Sequence, residues 1–194
     1  MFQKYITCLI LTFIIVRISV AQTKKNDNHF ELEVDPIAFI LHGYSAHVGY
    51  QSGHFRWDAG VYGIQEPSSF SGYDEFDIRS NGGGIKMDYL FQKRKGLLLG
   101  IESNISRERV SPKSNDSGSD NDLTKRFTNV SLSMRVGYRW MLGSKSNSYK
   151  GLYIFPWVSF LSFNLNPQSA SIQGKEYRQK TLSFFPTVHF GYSF

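Results

Sequence analysis

Three residues of the sequence have the types that could form a nucleophile, a base and an orienting acid: Ser45, His47 and Asp58. In such a set the acid orients the histidine, and the histidine takes the proton of the serine hydroxyl. Ser45 and His47 are two positions apart, so on an extended strand their side chains point the same way, about 6–7 Å apart. That separation is too large for a direct hydrogen bond, and we expect no catalytic residue from this set.

Other residues that often act in catalysis or metal binding give no stronger pattern. His189, near Thr187 and Ser193, meets the same difficulty of spacing. The single cysteine, Cys8, lies in the first 21 residues, so it offers no disulfide framework or thiolate cluster. The polar segment 111–122 holds three aspartates whose spacing fits no calcium loop: Asp116, Asp120 and Asp122. We therefore predict no metal site and no cofactor.

The first 21 residues have the three parts of a secretory signal peptide. Lys4 supplies a positive start, residues 5–16 are nearly all apolar, and Ser19-Val20-Ala21 ends in small residues. The apolar run is shorter than the roughly 20 residues that a spanning helix needs. We predict cleavage before Gln22, although Arg17, close to the apolar run, leaves an uncleaved anchor as an alternative.

The composition of the chain argues against nucleic-acid binding and is compatible with a β-barrel. The net charge is +6, with 22 basic and 16 acidic residues; without Lys4 and Arg17, 20 bases face 16 acids. The bases are scattered rather than gathered into a stripe, which argues against nucleic acid. The mean hydropathy of −0.30 is compatible with a barrel whose strands alternate polar and apolar residues.

Alternation of period two dominates the chain after residue 28 and predicts β-strands. We predict eight strands, at 30–41, 44–51, 54–65, 82–91, 96–109, 125–141, 151–164 and 181–194. In most of them one face is apolar, and the charges fall on the other face: Glu31, Glu33, Asp35, Arg56, Asp58, Lys86, Asp88, Glu102, Arg135 and Arg139. Strand 151–164 is ambiguous, because large apolar residues lie on both faces. Charges that point inward require hydrocarbon outside, so we predict a transmembrane β-barrel.

Connection lengths and aromatic positions support the same fold. The two residues Ser52-Gly53 suit a hairpin, and short connections alternate with long ones such as 66–81, 110–124 and 165–180. Outer-membrane barrels have short periplasmic turns and long extracellular loops. An aromatic girdle is predicted at the periplasmic ends of the strands: Tyr50, Phe55, Tyr89, Phe91, Tyr138, Trp140, Tyr192 and Phe194.

The mature chain, on these features, resembles the small outer-membrane barrels of Gram-negative bacteria, of the eight-stranded OmpA/OmpX type. The matching features are the Ala21-Gln22 cleavage site, the alternating strands and the terminal sequence Gly191-Tyr192-Ser193-Phe194. The resemblance implies an all-β, closed, antiparallel up-and-down barrel in the bacterial outer membrane. It divides the chain into a signal peptide (1–21), a short periplasmic segment (22–29) and the barrel (30–194). It also implies that Phe194 is read by the barrel-insertion machinery.

Such a barrel leaves three functions open. We favour a structural or surface-interaction role through the extracellular loops, in contact with outer-membrane lipid and lipopolysaccharide, with a lumen filled by paired charges. A lipid-modifying enzyme is the alternative, and three prolines in neighbouring strands (Pro36, Pro156 and Pro186) could open a lateral gap for a lipid chain. The other reading of these prolines is a set of bulges. A narrow channel comes last; it predicts measurable conductance that rises when Arg135 or Arg139 is neutralised.

The connection 66–79 mixes aromatic residues with carboxylates, among them Phe70, Tyr73 and Phe76 beside Asp74, Glu75 and Asp77. Such a mixture is typical of a surface that binds a ligand or partner. The same residues could equally pack against the barrel rim, which is the more common outcome for loop aromatics.

Overall fold

The computed structural model describes residues 28–113, 124–144 and 149–194. The predicted signal peptide and the aspartates at 116, 120 and 122 lie outside these ranges. Ten strands and two short helices follow one another along the described chain: β1 (Asn28–Val34), α1 (Pro36–Ile40), β2 (Tyr44–Ser52), β3 (Phe55–Glu66), α2 (Ser68–Ser71), β4 (Phe76–Gln92), β5 (Lys95–Pro112), β6 (Lys125–Met141), β7 (Gly151–Asn164), β8 (Ser169–Ile172), β9 (Lys175–Arg178) and β10 (Leu182–Ser193).

Eight of these strands form a closed barrel in the order β1-β10-β7-β6-β5-β4-β3-β2. Every neighbouring pair is antiparallel, and each strand pairs with the next barrel strand along the chain, apart from the closure of β1 against β10. The predicted fold class, an eight-stranded antiparallel up-and-down barrel, is confirmed. No described helix is long and apolar enough to cross a membrane.

Side chains alternate across the barrel wall as the sequence pattern predicts. Phe30, Val48, Ile85 and Ile101 stand on the outside, from 47% to 66% exposed. Glu31, Arg56, Asp88 and Arg135 stand on the inside and are at most 1% exposed. A water-soluble barrel has the opposite arrangement, so the exterior of this barrel is suited to hydrocarbon.

The first predicted strand is wrong beyond Val34. Residues 36–40 form α1 instead of continuing the strand to residue 41, and Pro36 stands at the start of the helix. The Asp35 side chain accepts a hydrogen bond from the Ile37 amide at 2.8 Å and so caps the helix. Proline suits this position because its fixed φ fits a helix and its missing amide would have no partner there anyway. Pro36 is therefore not part of the barrel wall.

The other two prolines do lie in the wall, on the neighbouring strands β7 and β10. Pro156 is paired with Val188, and Pro186 is paired with Val158. The register between the two strands is irregular further along, between Ser183 and Phe185. The ladder between β7 and β10 therefore continues past both prolines.

Strand β7 is no longer ambiguous. Tyr153, Phe155 and Trp157 point inward and are at most 8% exposed, while Leu152 is 59% exposed on the outside. The pairing of β7 with β6, on the other side of Pro156, is interrupted between Gly137↔Trp157 and Trp140↔Ile154. The interruption is expected, because proline has no amide to donate to the ladder.

The long connections contain more strand than predicted. β4 begins at Phe76 rather than at 82, and β5 continues to Pro112 rather than ending at 109. In the connection predicted at 165–180, β8 and β9 pair as a separate two-stranded hairpin. We call the end of the barrel that carries these extensions the upper end, and the end with the turns at 53–54 and 93–94 the lower end.

The predicted aromatic girdle surrounds the lower end. Tyr50 contacts Phe30, Phe55 contacts Tyr89, and Tyr192 contacts Phe194, with ring centroids 4.9 to 5.4 Å apart. Tyr138 and Trp140 form another such pair, with 4.9 Å between their ring centroids. These rings cover a belt of the outer wall where the apolar surface ends.

Candidate functional site

Arg56 is the centre of an ion-pair cluster in the lower half of the lumen. Its Nε donates to Glu31 Oε2 at 2.6 Å, its Nη1 to Asp88 Oδ2 at 3.0 Å and its Nη2 to Asp58 Oδ2 at 3.1 Å. Nη2 also pairs with Glu33. Because all five side chains are at most 1% exposed, each carboxylate depends on the protein for its hydrogen bonds.

Arg139 and Tyr153 complete the cluster toward the lower end. Arg139 Nη1 donates to Glu31 Oε1 at 2.7 Å, and its Nε donates to the Arg94 carbonyl at 2.8 Å. The Tyr153 hydroxyl lies 2.6 Å from Glu33 Oε1 and 3.2 Å from Glu31 Oε2. The cluster therefore crosses the lumen from β1 to β3, β6 and β7.

Arg135 joins the cluster through both charge and stacking. Its Nε lies 3.1 Å from Asp88 Oδ1, close enough for an ion pair but out of line for a hydrogen bond. Its guanidinium lies 4.2 Å from the centroid of the Trp157 ring and 5.3 Å from that of Phe155. Stacking on aromatic faces suits the planar, weakly hydrated guanidinium and holds Arg135 in place.

Inward-facing glycines leave the space that the large side chains of β7 occupy. A Cβ on Gly191 would overlap the Tyr153 ring, and a Cβ on Gly137 would come within 2.6 Å of the Phe155 ring. Glycine is depleted in strands unless something must approach the backbone closely. At these two positions, the aromatic side chains of β7 are what approaches.

Above the cluster, the upper half of the lumen holds a cavity of about 600 Å³, which we call the cup. Its walls carry mostly hydroxyl and amide side chains, among them Tyr62, Asn104, Ser106, Asn129, Ser131, Ser133, Ser159, Ser162 and Asn164. Four acidic residues (Asp35, Glu66, Glu102 and Glu108) and three basic residues (Lys86, Arg178 and Lys180) also line it, so their charges nearly balance. The cup therefore suits a neutral or zwitterionic polar occupant of small-molecule size.

Several buried polar atoms of the cup wall have no hydrogen-bond partner in the described parts of the chain: Asn104 Oδ1, Asn129 Oδ1, Trp157 Nε1, Ser159 Oγ and Asn164 Nδ2. They lie on three strands, with Asn104 on β5, Asn129 on β6 and the others on β7. Buried polar groups of folded proteins are nearly always satisfied. These donors and acceptors are consequently available to an occupant of the cup.

Two of the three residues considered for catalysis, Ser45 and His47, line the cup, and the buried Asp58 lies beside His47. His47 Nδ1 lies 3.0 Å from Asp58 Oδ1 and 3.2 Å from Lys86 Nζ. Ser45, as expected from its spacing, does not bond to His47, and its hydroxyl accepts from the Asp35 amide at 3.2 Å. The structure thus brings together the histidine and the acid but leaves out the serine.

His189 lies beside His47, with 4.8 Å between the ring centroids. Its Nδ1 is 2.8 Å from Glu33 Oε2, while the hydroxyl of Thr187 donates to Asp35 Oδ2 at 2.6 Å. Thr187 is therefore engaged elsewhere rather than with His189. Among the described residues, no group of three or more His, Cys, Asp or Glu side chains is arranged to hold a metal ion.

The hairpin β8–β9 covers the upper rim and packs against the extensions of β4, β5 and β6. Its Tyr177 ring contacts Phe76, Tyr73 and Phe127, with centroids 5.1 to 5.8 Å apart. The Tyr177 hydroxyl donates to Glu108 Oε2 at 2.9 Å, and burial together with this carboxylate raises the pKa of Tyr177. Tyr73 and Phe76 are thus rim packing rather than the open binding surface considered from their sequence.

The remaining aromatic of that connection, Phe70, lines the cup and contacts Phe185 of β10, with 6.0 Å between ring centroids. Glu66, at the upper end of β3, accepts a hydrogen bond at 2.5 Å from the hydroxyl of Ser80 on β4. Sequence reasoning missed the cup as a whole. The available signal was the run of serine and asparagine at alternate inward positions of β5, β6 and β7.

No protein-family model matches the chain, and no curated protein does. Among solved structures, a major outer membrane protein from Thermus thermophilus is similar, with a TM-score of 0.52 and 10% identity over 86% of this chain and 99% of that one. Neisserial surface protein A gives 0.47 and 12% identity over 87% and 97%. The N-terminal barrel domain of Pseudomonas aeruginosa OprF gives 0.44 and 9% over 86% and 96%. The likeness to the Thermus protein shows that the chain has the fold of an outer-membrane β-barrel.

Proposed function

We propose that this protein is an outer-membrane β-barrel of Gram-negative type that does not conduct solutes and that binds a small polar ligand at the cell surface. The observation that carries the proposal is the division of the lumen. Buried ion pairs fill its lower half, and the cup occupies its upper half. A barrel divided in this way can present a ligand site outward without admitting the ligand to the other side.

The membrane location is supported by the exterior of the barrel. Exposed apolar side chains, Phe30 and Leu132 among them, cover the outer wall, and the aromatic girdle borders this surface at the lower end. With the short turns on the periplasmic side, the upper end is extracellular. Phe194, exposed at the lower end after the alternating strand β10, is then accessible to the barrel-insertion machinery before the barrel closes.

The first test is conductance in a planar lipid bilayer. We expect the purified barrel to show no stable single-channel steps, because eight strands enclose little more space than side chains need and the ion-pair cluster occupies the lower half. The protein should be refolded material whose gel mobility changes on boiling, so that an absence of conductance cannot be caused by unfolded protein. Stable channels that grow when Arg135 or Arg139 is neutralised would show instead that the lumen is a narrow pore.

The ligand class follows from the wall of the cup. Amide and hydroxyl groups with nearly balanced charges favour neutral, hydroxyl-rich molecules, and the aromatic rings of Tyr62 and Phe70 offer flat apolar faces. A volume of about 600 Å³ lies within the range of sites that enclose small ligands. Mono- and disaccharides combine these properties and are our proposed ligands.

Trp157 can report such binding directly. Trp57 and Trp140 face outward and are 43% and 52% exposed, so Trp57→Phe with Trp140→Phe leaves Trp157 as the single tryptophan of the chain. We expect neutral disaccharides to shift its emission saturably and Asn129→Ala with Asn164→Ala to weaken binding at least tenfold, since two hydrogen bonds are lost. As a control, Ser183→Ala alters the rim of the cup outside this set and should leave binding unchanged. If no sugar shifts the Trp157 emission, the cup holds only water.

A lipid-modifying enzyme is a second candidate, favoured by His47, which lines the cup and pairs with the buried Asp58. A groove of about 580 Å³ on the outer wall runs beside Val158 and Val188. Four residues line both this groove and the cup, and so form a boundary between them: Phe70, Trp157, Phe185 and Pro186. A lipid chain lying in the groove would therefore be close to the cup.

The two candidates differ in what single substitutions do. An enzyme requires that His47→Gln abolish a modification visible in the lipid profile of cells, and that Pro156→Val hinder lipid access by supplying the amide missing from the β6–β7 ladder. A binding barrel keeps the lipid profile unchanged in both variants. Pro36→Val is uninformative for this purpose, because Pro36 lies in α1 outside the wall.

A further inference from the structure

Four arginines form a patch on the outer surface of the barrel near its upper end. Arg79 of β4, Arg109 of β5 and Arg126 of β6 are direct cross-strand partners, so they form one row across three neighbouring strands. Arg107, two residues below Arg109 on β5, lies in the next row down, opposite Asn81 and Thr128. We call these four arginines the arginine ladder; all four are exposed.

The height of the ladder is set by the apolar surface beneath it. The uppermost apolar row on these strands contains Ile105, which is 58% exposed, opposite Val130. At about 3.3 Å per residue, Arg107 lies roughly 7 Å and Arg109 roughly 13 Å further along the strand. With strands tilted by about 40°, these distances correspond to roughly 5 and 10 Å along the membrane normal. The lipid headgroup layer is some 5–7 Å thick on each side of the hydrocarbon, so Arg107 lies within it. The row of Arg109 lies just above this layer, and its long side chains can reach back to the phosphates.

Like charges directly opposite on neighbouring strands repel one another and destabilise the sheet. In the described ranges, the carboxylate in ion-pair contact with the ladder is that of Asp77, whose Oδ2 lies 3.6 Å from Arg79 Nε. That contact balances one of the four positive charges of the arginine ladder. Glu102 and Glu108 of β5 point into the lumen and pair there instead.

We propose that the arginine ladder binds the phosphate groups of an anionic lipid in the outer leaflet of the membrane that surrounds the barrel. Guanidinium groups bind phosphate through paired, charge-assisted hydrogen bonds, and a row of them offers several such forks to one phosphorylated headgroup. The apolar row of Ile105 and Val130 lies directly below, where the acyl chains of the same lipid would lie. This inference rests on the proposed outer-membrane location and adds a lipid ligand to it.

The experiment compares nanodiscs of phosphatidylcholine with and without bisphosphorylated lipid A, using native mass spectrometry to count retained lipid A. The variant is Arg107→Gln/Arg109→Gln/Arg126→Gln. Its control, Lys113→Gln/Lys150→Gln/Lys175→Gln, removes three exposed positive charges outside the ladder. We expect the ladder variant to bind lipid A roughly a hundredfold more weakly, since each basic residue near an anionic surface contributes about a fivefold increase. The control should stay within about twofold of the unaltered protein.

A single reversal separates binding from folding. Arg109→Glu places an acid between Arg79 and Arg126, so in pure phosphatidylcholine it should raise the urea concentration needed for unfolding while weakening lipid A retention. Equal loss of lipid A in the lysine control would overturn the proposal, as would equal retention of dephosphorylated lipid A. Competition by millimolar inorganic phosphate would identify a site for free phosphate instead. Failure to insert into phosphatidylcholine at all would contradict the proposed membrane location rather than the binding of lipid A by the ladder.

Discussion

Replacing Arg56 by methionine should destabilise the barrel by about 3–5 kcal/mol, the cost expected when one partner of a buried ion-pair network is removed. Four buried carboxylates, those of Glu31, Glu33, Asp58 and Asp88, pair with this guanidinium. The cations on Lys86, Arg135 and Arg139 remain in the variant, so three cations would face four carboxylates. Urea unfolding in detergent micelles, followed by tryptophan emission and by gel mobility without boiling, measures the loss.

Two further variants make the result specific. Arg56→Lys keeps the charge but cannot reach four carboxylates with one ammonium group, so its stability should fall between those of the unaltered protein and Arg56→Met. Lys175→Met, at an exposed position of the β8–β9 hairpin, should change the free energy of unfolding by less than about 0.5 kcal/mol. If Arg56→Met unfolds at the same urea concentration as Lys175→Met, the ion pairs of the lower lumen contribute nothing to stability.

Gly191→Ala should cost about 1–3 kcal/mol although it adds a single methyl group. The new Cβ would overlap the Tyr153 ring and stand 2.5 Å from its hydroxyl oxygen. Tyr153 would have to move away from Glu33 and Glu31, and those carboxylates would lose a buried donor. The same urea titration measures this variant, with retained barrel formation checked by gel mobility.

A double-mutant cycle with Tyr153→Ala tests the mechanism of that loss. If steric displacement of Tyr153 is the cause, Gly191→Ala should cost little once the ring is gone, and the two effects should fall short of additivity by more than about 0.5 kcal/mol. Additive effects would show that Gly191 matters for some reason other than the space it leaves for Tyr153.

The fold could be predicted from the sequence because the two faces of most strands differ in the same sense. Val34, Trp57 and Leu99 are outward, and Glu33, Asp58 and Arg139 are inward, as period-two alternation requires. Strand β7 could not be predicted in this way. Its inward face carries Tyr153, Phe155 and Trp157, and what makes that face internal is the arginine side chains of other strands stacking on it.

The errors at strand ends also have physical causes. Residues 36–40 continue an apolar run after Pro36, so the pattern alone does not separate a strand from a short capped helix. The part of β4 that precedes residue 82 includes Ser80 and Asn81 and leads into three glycines, a composition typical of a loop. Pairing with β5 over the whole stretch keeps these residues in a strand.

The candidate site was predictable only in part. Inward positions of Arg56, Asp58 and His47 follow from alternation, but the sequence does not say that Asp58, rather than Ser45, is the partner of His47. That choice depends on the register of β2 against β3, which places His47 opposite Gly60 and leaves its ring free to reach Asp58. The cup depends on the hairpin β8–β9 above it, whose position is set by tertiary packing.

The seam between β1 and β10 limits how quickly the chain can reach its final state. In the described chain, the register of this seam runs from Glu31↔Ser193 to Val34↔Phe190, and the nearby bond from His29 to the Phe194 carbonyl spans 165 positions. Contacts between residues so distant in the chain form slowly, because the entropy of closing the loop must be overcome first. Until the seam closes, β1 and β10 each present an unpaired edge able to pair with another chain. Aggregation therefore competes with closure of the barrel throughout that interval, and anything that shields these two edges favours closure.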